Sequence, residues 1–149
     1  MIAVEPADPR TPAAAALLGA SHALMARLFP AEANYAANSE ALRGPDVYFV
    51  TARRGLAVLG CGAVALRTGY GELKSIYVEE ASRGQGIADA ILRALEDHAR
   101  AAGLPLLKLE TGIGLDAAQK LYARHGFKLC GAFGDYPDHK SSIFMEKSL

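Results

Sequence analysis

The residues most suited to chemistry form the stretch RGQG at 83–86, directly before a run that predicts a helix. The first amides of a helix lack partners and carry about half a unit of positive charge, so they can bind an anion. Gly84 and Gly86 would let a phosphate approach those amides, and Arg83 adds a fixed positive charge. No lysine follows as in a Walker A loop, and Asp89 replaces the third glycine of a dinucleotide fingerprint. An ordinary tight turn is the alternative that the loop alone leaves open.

The residues after this loop predict an amphipathic helix. Apolar residues recur at helical spacing on one side, at Ile87, Ile91, Leu92, Leu95 and Ala99. Charged residues fall on the opposite side and are expected in solvent, at Asp89, Arg93, Glu96, Asp97 and Arg100. Gly103 is expected to cap the C-terminal end, and Pro105 prevents continuation. One face of this helix therefore packs on a sheet.

Strands and helices follow one another through the rest of the chain. Strands are expected at 47–53, 56–66, 72–78, 105–111, 127–133 and 141–147, after a short N-terminal strand. Two further helices are expected at 13–29, beginning with Thr11 and Pro12, and at 116–126. A hairpin is expected near Arg54 and Gly55. This order indicates a mixed α/β domain.

Composition excludes several classes of function. The 149 residues fit one domain, 1–149. Lys plus Arg equals Asp plus Glu at 16 each, which gives no drive toward nucleic acid or a membrane surface. Cys61 and Cys130 form no CxxC pair, the histidines have no ligand spacing, and no metal site is expected. Acidic residues precede the apolar run at 13–26, unlike a signal peptide, so a reduced, cytoplasmic protein is expected.

Two motifs at a suitable separation resemble the GNAT superfamily of acyl-CoA-dependent N-acetyltransferases. Arg83, Gly86 and Ala88 match its [Q/R]-x-x-G-x-[G/A] signature, which follows a strand ending in IYV. The stretch LYARHGF at 121–127 matches a second motif, L-Y-x-x-x-G-F. The resemblance implies a single-domain α/β fold, whose mixed, mostly antiparallel sheet has about six or seven strands flanked by about four helices. It also implies that the two central strands, at 72–78 and 105–111, splay apart.

The resemblance further implies that acetyl-CoA is the co-substrate. The strand end would hold the pantetheine arm, the loop would hold the pyrophosphate, and the amide of Val78 would face the thioester oxygen. The implied cofactor-binding residues are Ile76, Tyr77, Val78, Arg83, Gly84, Gln85, Gly86, Ile87, Ala88, Ala118 and Tyr122. One departure is Asp116, where many relatives have Asn. Asp116 is interpreted instead as a helix N-cap, with Gln119 as its capping-box partner.

The implied reaction needs a base and an acid. A primary amine is cationic at neutral pH, so a base must take its proton before it attacks. Some family members carry a glutamate at the position of Glu72, whose side chain is expected on the same face as Lys74 and Ile76. Glu110 and a water chain are the alternatives. Tyr122 stands where the family commonly has the tyrosine that protonates the leaving thiolate.

The predicted function is transfer of the acetyl group of acetyl-CoA to a primary amine of a small molecule, by direct attack in a ternary complex. The alternatives are a non-catalytic acyl-CoA-binding module and acetylation of a protein amine. By analogy with the family, the acceptor site is expected between Phe29, Asn34, Tyr35 and the segment 133–142, with His22 and His139 as further candidates. The resemblance also suggests a homodimer. Nothing in the sequence selects the acceptor.

Overall fold

The computed structural model describes residues 1–31 and 39–149. Its elements in chain order are β1 (Ala3–Pro6), α1 (Pro12–Leu28), β2 (Val47–Arg54), β3 (Ala57–Leu66), β4 (Gly71–Val78), α2 (Ile87–Ala101), β5 (Leu106–Gly112), α3 (Asp116–Arg124), β6 (Lys128–Cys130) and β7 (Ser142–Ser148). The described residues hold three α-helices where about four were expected, and the described part of the segment before β2 forms a short 3-10 turn at Ala41–Arg43. None of the described helices is long and apolar enough to cross a bilayer.

The strands form one sheet in the order β1-β2-β3-β4-β5-β7-β6. All neighbours are antiparallel except β4 and β5, which run parallel. Along these two fully described strands, only Gly71 pairs with Leu107 and Glu72 with Lys108. Beyond these pairs the strands part, which confirms the predicted splay at the centre of the sheet.

A bulge in β4 changes which side chains face the cleft. Ser75 has a φ of 57°, and the register between β3 and β4 shifts there, so Gly62 lies opposite an extra residue. The extra residue reverses the alternation of side chains. Ile76 therefore packs with Ile91 and Leu95 of α2. The expectation that Ile76 shares a face with Glu72 and Lys74 is wrong.

The two faces of the sheet are covered by different helices. The apolar stripe of α2 is at most 1% exposed and packs on one face, as predicted. Ala14, Leu17 and Leu18 of α1 pack with Phe49 and Cys61 in a separate cluster. The two clusters hold α2 and α1 against opposite faces of the sheet, near the place where β4 and β5 part.

Glu96 corrects the predicted polar face of α2. It was expected in solvent but is only 6% exposed. Arg100, one turn further on, donates to Glu96 Oε1 at 3.2 Å, and Lys147 of β7 forms a second ion pair with it. Because β7 supplies a cation from a distant part of the chain, the carboxylate can be buried at the helix surface.

Candidate active site

The glycine loop leads into the N-terminus of α2 in a left-handed conformation. Gly84 and Gly86 both have a φ of 79°, and Gly86 is the N-cap residue. A Cβ at either position would meet no other atom within 4 Å. The backbone therefore needs glycine for its conformation, and the space beside it is open enough for a ligand to reach the amides.

Arg83 is fixed at the end of β4. Its Nε donates to the backbone oxygen of Val78 at 3.0 Å, and its guanidinium carbon lies 5.3 Å from the ring centroid of Tyr77. These contacts hold a positive charge beside the glycine loop, where the sequence predicted it.

A cavity of about 760 Å³ opens at this loop, between β4, α2, α3 and α1. Ten of the eleven predicted cofactor-binding residues line it: Ile76, Tyr77, Val78, Arg83, Gly84, Gly86, Ile87, Ala88, Ala118 and Tyr122. Gln85 is not among the lining residues. The structure thus brings the strand end, the loop and α3 around one space.

Sequence reasoning missed the wall that α1 contributes to this cavity. Ser21, Leu24 and Met25 line it opposite the glycine loop. Their helical spacing was visible, but α1 is apolar on several sides, so the pattern did not distinguish the sheet-facing side from the cavity side. The missed residues elsewhere are Ser82, Asp89, Gly114, Leu115, Asp116, Ala117, Leu121 and Arg124.

Asp116 does not act as the predicted N-cap. Leu115 is the N-cap residue of α3, and no side chain caps this end. The backbone amide of Leu115 donates to the oxygen of Gly112 at 3.1 Å, so a turn has already formed before Asp116. Gln119 donates to the same oxygen through its side chain, at 3.2 Å, instead of completing a capping box. Asp116 is the first helical residue, and it lines the cavity.

Tyr122 is buried at the wall of the cavity. Its residue is 8% exposed, and its ring packs edge-on against Phe127 with centroids 5.7 Å apart. Burial, with a smaller contribution from the charge of Glu110, raises the pKa of Tyr122 to about 12. The phenol is therefore protonated at neutral pH and can donate a hydrogen bond or a proton.

Glu72 sits in a dense polar network at the point where the strands part. It is 4% exposed and accepts hydrogen bonds from Arg67 at 3.1 Å and Lys74 at 3.3 Å, and a short one from Tyr136. Burial alone would raise the pKa of Glu72, but the bond from Tyr136, the charge of Lys74 and the bonds from Arg67 and Lys74 hold it below 4.5. Glu72 is therefore ionised at neutral pH, and both of its carboxylate oxygens accept hydrogen bonds.

Glu110 occupies a different environment on β5. Its Oε2 accepts a hydrogen bond from the Ser142 hydroxyl at 2.9 Å. Burial, reinforced by the charge of Glu72, raises the pKa of Glu110 to about 7, although Ser142 and Lys74 act in the opposite direction. A carboxylate with such a pKa can take up a proton near neutral pH.

Two of the four histidines and one of the two cysteines have structural surroundings. His125 contacts Asp89 Oδ1 at 2.8 Å, beside a hydrogen bond from Arg124, which joins α3 to α2. His98 stacks on Tyr48 with centroids 3.7 Å apart. Cys61 is fully buried. Within residues 1–31 and 39–149, no group of three or more His, Cys, Asp or Glu side chains is placed to hold a metal ion.

Phe29 and the segment 133–142 are the described parts of the predicted acceptor site. Asn34 and Tyr35 fall outside the described residues. The Phe29 ring lies directly on Gly112, where a Cβ would collide with it, so the residue after α1 reaches across to the end of β5. In the segment after β6, Phe133 and Tyr136 pack against each other with centroids 5.2 Å apart, and each contacts Phe144 of β7.

Known proteins resemble this chain in sequence and in fold. Residues 17–127 match the sequence model of the Acetyltransferase (GNAT) family. A protein named IAA acetyltransferase from Azospirillum brasilense is 45% identical over 124 residues, which cover 82% of this chain and 81% of that relative. A Klebsiella pneumoniae protein described as an acyl-CoA N-acyltransferase has a crystal structure that is 32% identical, with a TM-score of 0.84 over 100% of this chain and 98% of that chain.

A more distant structure shares the fold. A GNAT acetyltransferase from Elizabethkingia anophelis, solved with acetyl-CoA bound, is 19% identical with a TM-score of 0.71, covering 99% of this chain and 98% of that chain. The fold and the matching sequences define an acetyltransferase. More particularly, the chain belongs to the GNAT acetyltransferase family.

Proposed function

We propose that the protein transfers the acetyl group of acetyl-CoA to a primary amine of a small molecule, by direct attack in a ternary complex. The observation that carries this proposal is the cavity at the glycine loop, whose lining includes the end of β4 beyond the point where pairing with β5 stops and the two strands open. A ligand held by the loop can extend along β4 into that opening. The half-buried Glu110, with the segment 131–141 packed nearby, favours a small acceptor over a protein surface.

The residues present fit acetyl-CoA. The open space beside Gly84 and Gly86 suits a pyrophosphate on the amides of α2, with Arg83 as its counter-charge. Glu79 donates its backbone amide to Leu59, so the alternation of an antiparallel ladder turns the Val78 amide away from β3 and toward the gap. Bound acetyl-CoA would supply the thioester, and the Val78 amide would then stabilise negative charge on its oxygen.

Glu110 is proposed as the base, in preference to Glu72. The network around Glu72 stabilises its ionised form, which makes it a weak proton acceptor. Glu110 accepts a hydrogen bond from Ser142, and its pKa of about 7 is near the pH at which it must work. We assign to Glu72 the role of holding Lys74 and Tyr136 in place.

Tyr122 is proposed as the acid that serves the leaving sulfur. Attack by the neutral amine forms the C–N bond and breaks the thioester C–S bond. Glu110 takes the proton from the nitrogen, and the Tyr122 hydroxyl gives a proton to the departing thiolate. Because the pKa of Tyr122 is about 12, we expect a late proton transfer that begins as a hydrogen bond to the sulfur.

A thiol-release assay with acetyl-CoA tests this proposal. The panel contains amino acids, polyamines, amino sugars and arylamines, and mass spectrometry identifies the acetylated product. Free thiol should appear only when an amine is present, in amounts equal to the acetylated product. Acetyl-CoA binding without amine-dependent thiol release from any acceptor would contradict the proposal and support the non-catalytic alternative.

A further inference from the structure

Lys74 and Glu110 face each other across the gap between the central strands. Glu72 and Lys108 form the last pair between β4 and β5. Lys74 and Glu110 each lie two residues further along their own strand, before the bulge at Ser75, so they belong to the same face of the sheet. The charge of Lys74 acts on the Glu110 carboxyl, which agrees with this placement. A base and a cation therefore border the same opening.

The ammonium of Lys74 is held in place by its neighbours. It donates to Glu72 Oε2 at 3.3 Å and to the Tyr136 hydroxyl at 3.1 Å, and it lies 5.7 Å from the Tyr136 ring centroid. These are its hydrogen bonds to the part of the chain that the structure describes. Because an ammonium has three N–H donors, one donor is left for a ligand. The side chain keeps 18% exposure at this position.

The hydrogen-bonded group of Arg67, Lys74 and Glu72 carries more positive than negative charge, and Glu110 adds its own negative charge across the gap when it is ionised. Glu72 is the carboxylate to which both Arg67 and Lys74 are hydrogen-bonded. These three side chains together keep one positive charge when Glu72 is ionised. A second amine on the acceptor would be repelled here, whereas an anion would pair with Lys74.

We propose that the acceptor is an amine that also carries an acidic group, a carboxylate or a phosphonate, and that this group binds Lys74 while the nitrogen faces Glu110. This inference rests on the proposed function. The site then matches the acceptor by charge, because the cation of the site meets the anion of the acceptor and the base meets its amine. Polyamines and simple alkylamines lack the partner for Lys74.

Matched acceptors test the proposal in the wild-type protein. The pairs are glycine with glycinamide and β-alanine with its amide, with aminomethylphosphonate as a further acid, and kcat/KM is compared per neutral amine. We expect the acid-bearing member of each pair to be preferred by about 10-fold or more, as for a charge-assisted hydrogen bond. Amides used as well as or better than the acids would overturn the proposal while leaving the acetyltransferase function intact.

Variants locate the preference. Lys74→Gln should abolish the preference for acids, mainly by lowering kcat/KM for the acids, and Lys74→Arg should restore part of it. Lys108→Gln is the matched control, because Lys108 is similarly shielded at 21% exposure on the same face and pairs with Glu146. It should keep the wild-type preference. An equal loss in Lys108→Gln, or an unchanged preference in Lys74→Gln, would overturn the assignment to Lys74. Absence of acetylation of every acceptor, including those of the wider panel, would overturn the proposed function as well.

Discussion

The two sides of the central gap are built in different ways. The side that faces the cavity consists of a contiguous loop, 83–88, and the adjacent end of β4, and it offers mainly backbone groups and apolar walls. The opposite side consists of ionisable side chains from distant parts of the chain. Tyr136 reaches Glu72 from 64 residues away, and Ser142 reaches Glu110 from 32 residues away.

This difference explains what each side can do. Backbone amides at a helix start bind the same phosphate groups whatever acyl acceptor is used, so a local sequence motif suffices. In a network of side chains, the charge and the pKa of each ionisable group depend on all of the groups around it. We call the side that faces the cavity the donor side, and the side with the ionisable side chains the acceptor side. Function on the donor side should therefore respond to changes in backbone shape, and function on the acceptor side to changes in single polar atoms.

The largest effect is expected from Gly86→Glu on the donor side. The substitution adds bulk and negative charge where the pyrophosphate is proposed to bind, so acetyl-CoA binding should be lost in calorimetry. Gly103→Glu is the control, because Gly103 follows the C-cap residue of the same helix with a φ of 78° and similar open space. It carries the same backbone strain far from the loop. Equal affinities in the two folded variants would refute the phosphate-loop assignment.

On the acceptor side, Glu110→Gln should lower kcat/KM by about 10²-fold, within the range of general base catalysis. With a pKa of about 7, Glu110 should give a rise in wild-type kcat/KM as the pH increases through 7. This rise, the acidic limb of the pH profile, should be missing in the variant, while the affinity for acetyl-CoA stays the same. If Glu72→Gln, and not Glu110→Gln, removes the limb, the base is Glu72 as the sequence predicted.

Tyr122 stands between the two sides, and Tyr122→Phe removes only its hydroxyl. We expect kcat and kcat/KM to fall together by about 10-fold, with little change in KM for acetyl-CoA. The ring and its contact with Phe127 remain, so unfolding free energy should change by no more than about 1 to 2 kcal/mol. Full turnover combined with a clear loss of stability would leave Tyr122 as a core residue only.

The smallest effects concern stability, and their signs should differ between the two glutamates. The pKa of Glu110 is raised in the folded protein, so ionised Glu110 costs stability as the pH rises from 4.5 through 7. Glu110→Gln should therefore raise the Tm at pH 8 by about 2 °C or more, and the gain should vanish near pH 4.

Glu72 should behave in the opposite way. Its pKa is lowered, so its contribution is present above 4.5 and disappears as the pH falls below that value. Glu72→Gln should lower the Tm at pH 7, and the difference from wild type should shrink in acid. Thermal melts of both variants at several pH values measure this contrast. A loss of stability in Glu110→Gln at pH 8 would show that the carboxylate of Glu110 stabilises the fold.

The sequence predicted the fold closely where patterns are local. The apolar stripe of α2, the succession of strands and helices along the chain and the hairpin at Arg54 and Gly55 follow from periodicity and turn residues, and the structure confirms them. Predictions failed where a contact outside the recognised patterns decides the outcome. A distant residue, Lys147, pairs with the buried Glu96, and a local turn from Gly112 moves the start of α3 so that Leu115 is the N-cap. The bulge at Ser75 gave no signal, since serine does not mark a positive φ.

The sequence by itself determined the glycine loop that we propose binds the pyrophosphate, and the helix behind it, because their geometry depends on glycines and apolar spacing within a short segment. Only the tertiary structure decided the proton chemistry. Glu72 and Glu110 are the same residue type on adjacent strands, yet their pKa values move in opposite directions. Arg67, Lys74 and Tyr136 surround the carboxylate of Glu72 and lower its pKa, whereas burial dominates the pKa of Glu110. Proton affinity depends on charges and dehydration in space, which the order of residues along the chain does not reveal.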